Sequence, residues 1–333
     1  MHISVIERLI SPETGNPLEI EVFVSQGDEI IEGRLMEVGG NNWFRIENGI
    51  ADLLPLFLRD AERHSAFAAR RGLSYEPLLT ETRPDDLYQR QIGYFASHHN
   101  QYEAEVVESP FYKVLDSINF EDWVDRMVES GNWLLEIGCG SGRQTQSLIR
   151  KGARVVGVDL SENLLGLARK KIIAFEPKAQ IGFVIGAAER VPVKREAFDG
   201  SLIYGSLHHF SEPSAALLEA GAALKPGGMF YLLEPHASPV RFVFDWLMRL
   251  RPLWQEEAND DPLFVEANLK QWLAAAGIRA SFRFSTYVPP HLFYFLGQRM
   301  GERLLTFSDS VGNAVPGLKR LGGVIIAEGS KAS

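Results

Sequence analysis

The chain has 333 residues, 45% of them apolar and 23% charged, with a formal net charge of -9. That length holds one sizeable α/β domain plus a smaller module, and the acidic balance argues against a nucleic-acid surface, which normally shows a basic stripe. The lone Cys139 excludes a disulfide within the chain and a multi-cysteine metal site, no apolar run approaches the roughly 20 residues of a membrane helix, and Met1 to Ser11 is too short and too charged for a secretory signal, so a cytoplasmic setting is expected.

In chain order, residues 1–56 alternate short apolar runs with turn residues and predict two small hairpins, with Ile46, Ile50, Leu53 and Leu54 tucked onto a neighbour. Residues 57–86 read as a polar, arginine-rich linker with helical spacing only in part; Arg83-Pro84-Asp85-Asp86 would stop one helix and cap the next. The main domain is expected over 87–333. It opens on an aromatic stretch, Tyr88, Tyr94, Phe95, Tyr102, Phe111 and Tyr112, and the helical spacing of Phe111, Val114, Leu115 and Ile118 assigns those four to packing.

The most informative run follows. Leu134-Leu135-Glu136-Ile137-Gly138-Cys139-Gly140-Ser141-Gly142 reads as a buried strand entering a glycine turn, and Val155-Val156-Gly157-Val158-Asp159 as a second apolar strand ending in a carboxylate. The glycines allow close approach of a ligand to the backbone, and Asp159 is placed to accept from a ribose diol. A dinucleotide fingerprint would need glycine where Arg143 stands, so a pyrophosphate is disfavoured.

Glu136 to Gly142 resembles motif I of the class I S-adenosylmethionine-dependent methyltransferases. The resemblance continues in order through Val184 to Pro192 (third strand and adenine loop), Phe198 to Tyr204 (fourth strand), Gly205-Ser206-Leu207-His208-His209-Phe210 (the loop beyond it), and Leu224-Lys225-Pro226-Gly227-Gly228 before a fifth strand, Met229 to Leu233. It implies a Rossmann-like seven-stranded, mostly parallel sheet with an antiparallel last strand, and S-adenosylmethionine as cofactor. It places Glu136, Gly138, Cys139, Gly140, Gly142, Asp159, Leu160, Ala187, Ala188, Glu189, Tyr204 and Tyr102 at the cofactor, and Tyr94 at the substrate. Ala187 departs from the family, many of whose members carry an aspartate there to accept from the adenine amino group.

The amino-terminal segment also resembles the small zinc-ribbon domain that activates or precedes several methyltransferases. Its paired cysteines would fall near Ser11 and Thr14 and again near Glu37 and Gly40, and none is present. Hydroxyls and one carboxylate are poor zinc donors, so the expectation is a metal-free ribbon.

Beyond the fifth strand, Glu234-Pro235-His236 closes at the edge where open α/β sheets bind ligands, alongside His208 and His209. An apolar helix over Phe242 to Leu250 belongs to a first insertion, at about 237–262. Phe264 to Ala276 reads as the helix before strand six (Arg279 to Tyr287), and Gly322 to Glu328 as the last strand. The second insertion, 289–321, is too long for a structureless loop and should hold helices. Its start, His291-Leu292-Phe293-Tyr294-Phe295-Leu296, is apolar on nearly every side and leaves three readings: a lid over an apolar substrate, a dimer interface, or a membrane-surface contact.

The resemblance leaves light chemistry to the protein: an O, N or C nucleophile of a small, partly apolar molecule must be held in line with the methyl group. For a hydroxyl or activated carbon a base is also needed, and His208, His209 and His236 are the candidates, because imidazole titrates near neutrality. Glu234, Phe293 and Tyr294 are candidate substrate contacts. Nothing in the spacing demands a metal. The alternatives are a ribosomal or transfer RNA methyltransferase and a cofactor-binding regulatory or assembly protein without turnover.

Overall fold

The computed structural model describes residues 1–75, 103–253 and 263–332. Strands β1 (Leu18–Gln26), β2 (Glu29–Glu37), β3 (Trp43–Glu47) and β4 (Ile50–Asp52) form an antiparallel meander. Helices α1 (Ala61–Arg71), α2 (Pro110–Asp116) and α3 (Asp122–Met127) follow. The alternating part then runs β5 (Trp133–Ile137), α4 (Arg143–Arg150), β6 (Arg154–Asp159), α5 (Glu162–Phe175), β7 (Ile181–Ile185), β8 (Phe198–Tyr204), α6 (Pro213–Ala223) and β9 (Leu224–Pro235). The chain continues through α7 (Arg241–Leu250), α8 (Glu266–Ala275), β10 (Ile278–Ser285), α9 (Pro290–Leu296), α10 (Gln298–Ala314) and β11 (Val324–Lys331).

All eleven strands belong to one sheet, in the order β1-β2-β3-β4-β7-β6-β5-β8-β9-β11-β10. Its last seven strands are the expected mixed sheet: β7, β6, β5, β8 and β9 are parallel, and β11 runs antiparallel to both β9 and β10. Burial on both faces explains the near-continuous apolar runs of the central strands. Because side chains alternate across a strand, Leu135, Ile137, Val156 and Val158 pack into one core, while Leu134, Val155, Leu202 and Tyr204 pack into the other. Short polar signals set the helix ends: the Ser161 hydroxyl accepts from the Leu164 amide at 3.3 Å to start α5, and left-handed Gly277 follows α8.

The amino-terminal strands are continuous with the main sheet. β4 pairs parallel with β7, Ile50 opposite Phe183 and Asp52 opposite Ile185, and Ile46, Ile50, Leu53 and Leu54 are buried. Arg45, only 2% exposed, ties the region to α5 by reaching Glu162 at 3.2 Å besides Asp52 at 3.0 Å and Glu47 at 2.7 Å. Within the stretch read as a linker, α1 is a capped helix: Asp60 accepts from the Arg63 amide at 3.0 Å, and Gly72 ends the helix in the left-handed region. Its buried face is only His64, Phe67 and Ala68, too sparse a stripe to register as a helical period, and Phe67 packs against Trp43.

At the four positions where the ribbon resemblance would place cysteines, Glu37 takes the centre. Its carboxylate, 5% exposed, accepts from Ser11 Oγ at 3.4 Å, from Asn16 Nδ2 and Asn42 Nδ2 at 3.0 Å each, and from the Thr14 hydroxyl. Burial pushes its pKa up, but the four donors outweigh burial and hold it below the ordinary glutamate value.

The second insertion is helical, as its length demands. Asn313 of α10 exchanges two bonds with the Phe284 backbone, at 3.0 and 2.6 Å, and Asp309 accepts from the Thr286 amide at 3.0 Å, which clamps the helix to the end of β10. Phe293 is buried against Phe111 of α2, ring centroids 5.6 Å apart, and the Tyr294 hydroxyl lies 2.8 Å from Ser109 Oγ. No helix among the described residues is long and apolar enough to cross a membrane.

Candidate active site

The carboxyl ends of β5, β6, β7 and β8 open into one cleft, lined by Gly138 and Gly140, by Asp159 and Leu160, by Gly186, Ala188 and Glu189, and by Tyr204, Ser206, His209 and Phe210. The loop after β5 fits its neighbours only as glycine at 138: φ is +73°, and a Cβ there would sit 2.3 Å from Ser206 Oγ. Asp159 pins the loop. Its Oδ2 accepts from the Gly140 amide and its Oδ1 from the Ser161 amide, both at 2.8 Å. Burial raises the Asp159 pKa against these two donors and the nearby His209.

Several expected cofactor residues stand behind the cleft wall. Glu136 is 2% exposed and its Oε2 accepts from Thr145 Oγ1 at 2.6 Å; burial pushes its pKa up to about 8. Cys139 is buried, close behind Gly157, and burial raises its thiol pKa well above the ordinary value. Gly142 caps α4 against Ala168, and Ala187 is 2% exposed beneath Ala188. Tyr94 and Tyr102 lie outside the described residues.

The histidines separate. His209 lines the cleft and His208 stands beside it, ring centroids 4.0 Å apart. Glu234, fully buried at the end of β9, receives His208 Nδ1 on Oε2 at 2.6 Å while its Oε1 accepts from the Ser206 and Leu207 amides at 2.9 and 2.7 Å. Glu234 is therefore a support for the loop and for His208, and not a surface for substrate. His236 does not join them: it is 4% exposed, its Nδ1 bonds to the Gly322 carbonyl at 2.8 Å, and its ring packs on Phe284. Burial lowers its pKa. Phe293 and Tyr294 likewise serve the packing between α9 and α2 and do not line the cleft.

Behind Tyr204, which lines the cleft, stands a cluster that was not foreseen. The Tyr204 hydroxyl donates to Asp116 Oδ1 at 2.6 Å, Gln144 reaches the same oxygen at 3.3 Å, and the Arg143 guanidinium lies 5.1 Å from the Tyr204 ring and 5.3 Å from that of Tyr112. Burial raises the Asp116 pKa despite Arg143 beside it. The partners of Tyr204 come from α2 and α4 and meet it only in the fold; of them, Arg143 was noted in the sequence, as a departure from a dinucleotide loop.

The donor set suits a nucleoside-bearing ligand without phosphates: a glycine floor with no cation among the described lining residues, a carboxylate at the second strand, and apolar Leu160, Ala188 and Phe210 flanking it. Residues 135–232 match the family described as "Methyltransferase domain". With this fold and cleft, that match supports an S-adenosylmethionine-dependent methyltransferase of Rossmann-like fold.

Over 208 residues the chain is 26% identical to the ubiquinone biosynthesis O-methyltransferase of Xanthomonas axonopodis pv. citri (strain 306), a stretch covering 60% of this chain and 84% of that one. The enzyme of the same name from Xanthomonas campestris pv. campestris (strain B100) is 24% identical over 207 residues, with the same coverage. Among solved structures, magnesium protoporphyrin IX methyltransferase from Synechocystis PCC 6803 shares the fold at a TM-score of 0.53 and 16% identity, covering 74% of this chain and 100% of that one.

Proposed function

We propose that the protein methylates a hydroxyl oxygen of a small, partly apolar molecule, with His208 as the general base. The observation that carries this reading is the bond between His208 Nδ1 and the buried Glu234 carboxylate. An ionised Glu234 accepts on both oxygens, and opposite it the His208 proton sits on Nδ1, which leaves the Nε2 lone pair to take a proton. A hydroxyl nucleophile needs that help, since it is weak until its proton is drawn off as the new bond forms. The name of the Xanthomonas relatives, an O-methyltransferase, supports the choice of oxygen.

The residues then divide the work. Bound in the cleft, S-adenosylmethionine supplies a sulfonium-activated methyl group. Asp159 accepts from the ribose hydroxyls on the lone pairs its two amide bonds leave open, and the Gly138 and Gly140 backbone admits the cofactor closely. Tyr204, held by Asp116, and His209 wall the space in which the acceptor lies, and orientation there supplies most of the rate.

The test is transfer of label from methyl-labelled S-adenosylmethionine to an organic-extractable metabolite fraction and to purified ribosomal RNA. Label in an O-methylated small molecule is expected. His208→Gln should lower kcat by roughly a hundredfold or more with the cofactor Kd unchanged. Label in RNA alone, or full turnover by that variant, would overturn the reading.

A further inference from the structure

Thirteen of the twenty-two large apolar side chains that the described residues expose lie in just two segments, 240–253 and 289–321. They sit on the outward faces of short helices. On α7, Phe242, Trp246 and Leu250 recur one turn apart and are 69, 58 and 65% exposed, while Met248 turns inward. On α9, Leu292, Phe295 and Leu296 are exposed beside buried Phe293, with Phe295 at 80%. Met300, Phe307 and Val311 continue the pattern along α10. The two segments abut, with His291 Nε2 2.8 Å from the Arg251 carbonyl and its ring 6.4 Å from that of Phe244.

The charges around this face are one-sided. Arg249, Arg251, Arg299 and Arg303 are exposed, against Glu302 as the only exposed acid of these described segments, while Arg320 pairs with Glu266 at 3.8 Å. The other two acids are engaged: Asp245 with Arg241 at 2.6 Å, and Asp309 with the backbone of β10. The acidic run from Glu256 to Asp261 lies outside the described residues. On a chain of net charge -9, the described residues of these two segments are locally basic.

We propose that this face docks on an anionic lipid bilayer, with Phe242, Trp246 and Phe295 among the acyl chains and the arginines at the phosphates. Aromatic and aliphatic tips beside arginines match the headgroup boundary, where a long cationic side chain keeps its charge with the phosphates and its stem in apolar surroundings. Helices this short lie in the interface and do not span it. A second copy of the chain is the poorer occupant. A two-fold contact would set this face against itself, arginines opposite arginines.

Flotation of the full-length protein with phosphatidylcholine vesicles, with and without phosphatidylglycerol, tests the proposal. Flotation with the mixed vesicles, weakened by high salt and by omission of phosphatidylglycerol, is expected. Phe242→Ser/Trp246→Ser/Phe295→Ser should weaken it by roughly a hundredfold, the scale of losing burial of two or more large apolar groups. Cofactor affinity of that variant, read by calorimetry, shows that it is folded, and Phe295→Ser alone repeats the test with a milder change. Three results would overturn the proposal: no flotation of the unaltered protein with either vesicle, flotation indifferent to these variants, or a dimer at sedimentation equilibrium that the triple variant dissociates.

Discussion

Asp159 Oδ2 accepts the Gly140 amide at 2.8 Å, so the carboxylate at the end of the second central strand also holds the glycine loop of the first. Replacing it removes a ribose acceptor and the brace of the loop together. Asp159→Ala should weaken S-adenosylmethionine binding by roughly a hundredfold in calorimetry, the scale of one lost charge-assisted bond, with the loop's disorder added to it. Asp159→Asn keeps an oxygen for one partner and should fall between. Unchanged affinity in the alanine variant would remove Asp159 from the site.

The strands of the main sheet were legible because burial on both faces leaves continuous apolar runs, and the turn glycines and Asp159 mark their ends. What the sequence hid was long-range. That β4 would pair with β7 depends on backbone at the edge of a sheet, which leaves no letter of its own. His236 lies two residues after Glu234, just past the end of β9, and its bond to the Gly322 carbonyl holds it in the core. The Asp116, Tyr204 and Arg143 cluster joins residues from α2, β8 and α4, and no spacing along the chain announces it. Phe293 and Tyr294 lie in a helix as expected, but their partners, Phe111 and Ser109, lie nearly two hundred residues earlier and set both rings in the contact between α9 and α2.

Glu136 should make stability depend on pH. Its folded pKa is raised from 4.5 to about 8, so the folded state keeps the proton that the unfolded state gives up. The associated stability is full below pH about 4.5 and is lost as pH rises to about 8, at no more than ~1.4 kcal/mol per pH unit. Asp309, raised to about 6, acts in the same direction but has finished by that pH. Over pH 6 to 8 the Met1 ammonium, lowered by burial from 8.0 to about 6, acts in the opposite direction. The test in urea denaturation is therefore a difference: the stability of the unaltered protein relative to Glu136→Gln should fall as pH rises. Equal slopes in the two proteins would mean that Glu136 is not protonated in the fold.

The contact between α9 and α2 should be expensive to empty. Phe293 is 1% exposed among Phe111, Val114, Leu115 and Leu305, and Phe293→Ala is expected to cost about 3–5 kcal/mol in chemical denaturation. Gly301 packs directly on the same ring, where a Cβ would fall 2.4 Å from it, so Gly301→Ala should also destabilise the helix pair, by about 1–3 kcal/mol of overpacking. A loss below ~1 kcal/mol for Phe293→Ala would show that α9 is held elsewhere.

Glu37 offers a test of the zinc-ribbon resemblance. Its carboxylate receives Ser11 and Thr14 directly, and a Cβ on Gly40 would come within 2.9 Å of its carboxyl carbon, so the four positions of the resemblance share one neighbourhood. Hydrogen bonds there do what a tetrahedral metal would do, tying two turns together through one centre. Because the folded pKa is depressed, this contribution is present above pH about 4.5 and is lost as pH falls through the folded value. Glu37→Ala should leave buried Ser11 and half-buried Asn42 without their acceptor, while exposed Thr14 and Asn16 turn to water, and cost about 1–3 kcal/mol. The combined variant Ser11→Cys, Thr14→Cys, Glu37→Cys, Gly40→Cys should instead bind one cobalt(II) with the intense visible bands of a tetrahedral thiolate site, and recover much of that loss when zinc is added. Metal uptake without those bands, or none, would mean that the four positions share a neighbourhood but not the geometry of a ribbon.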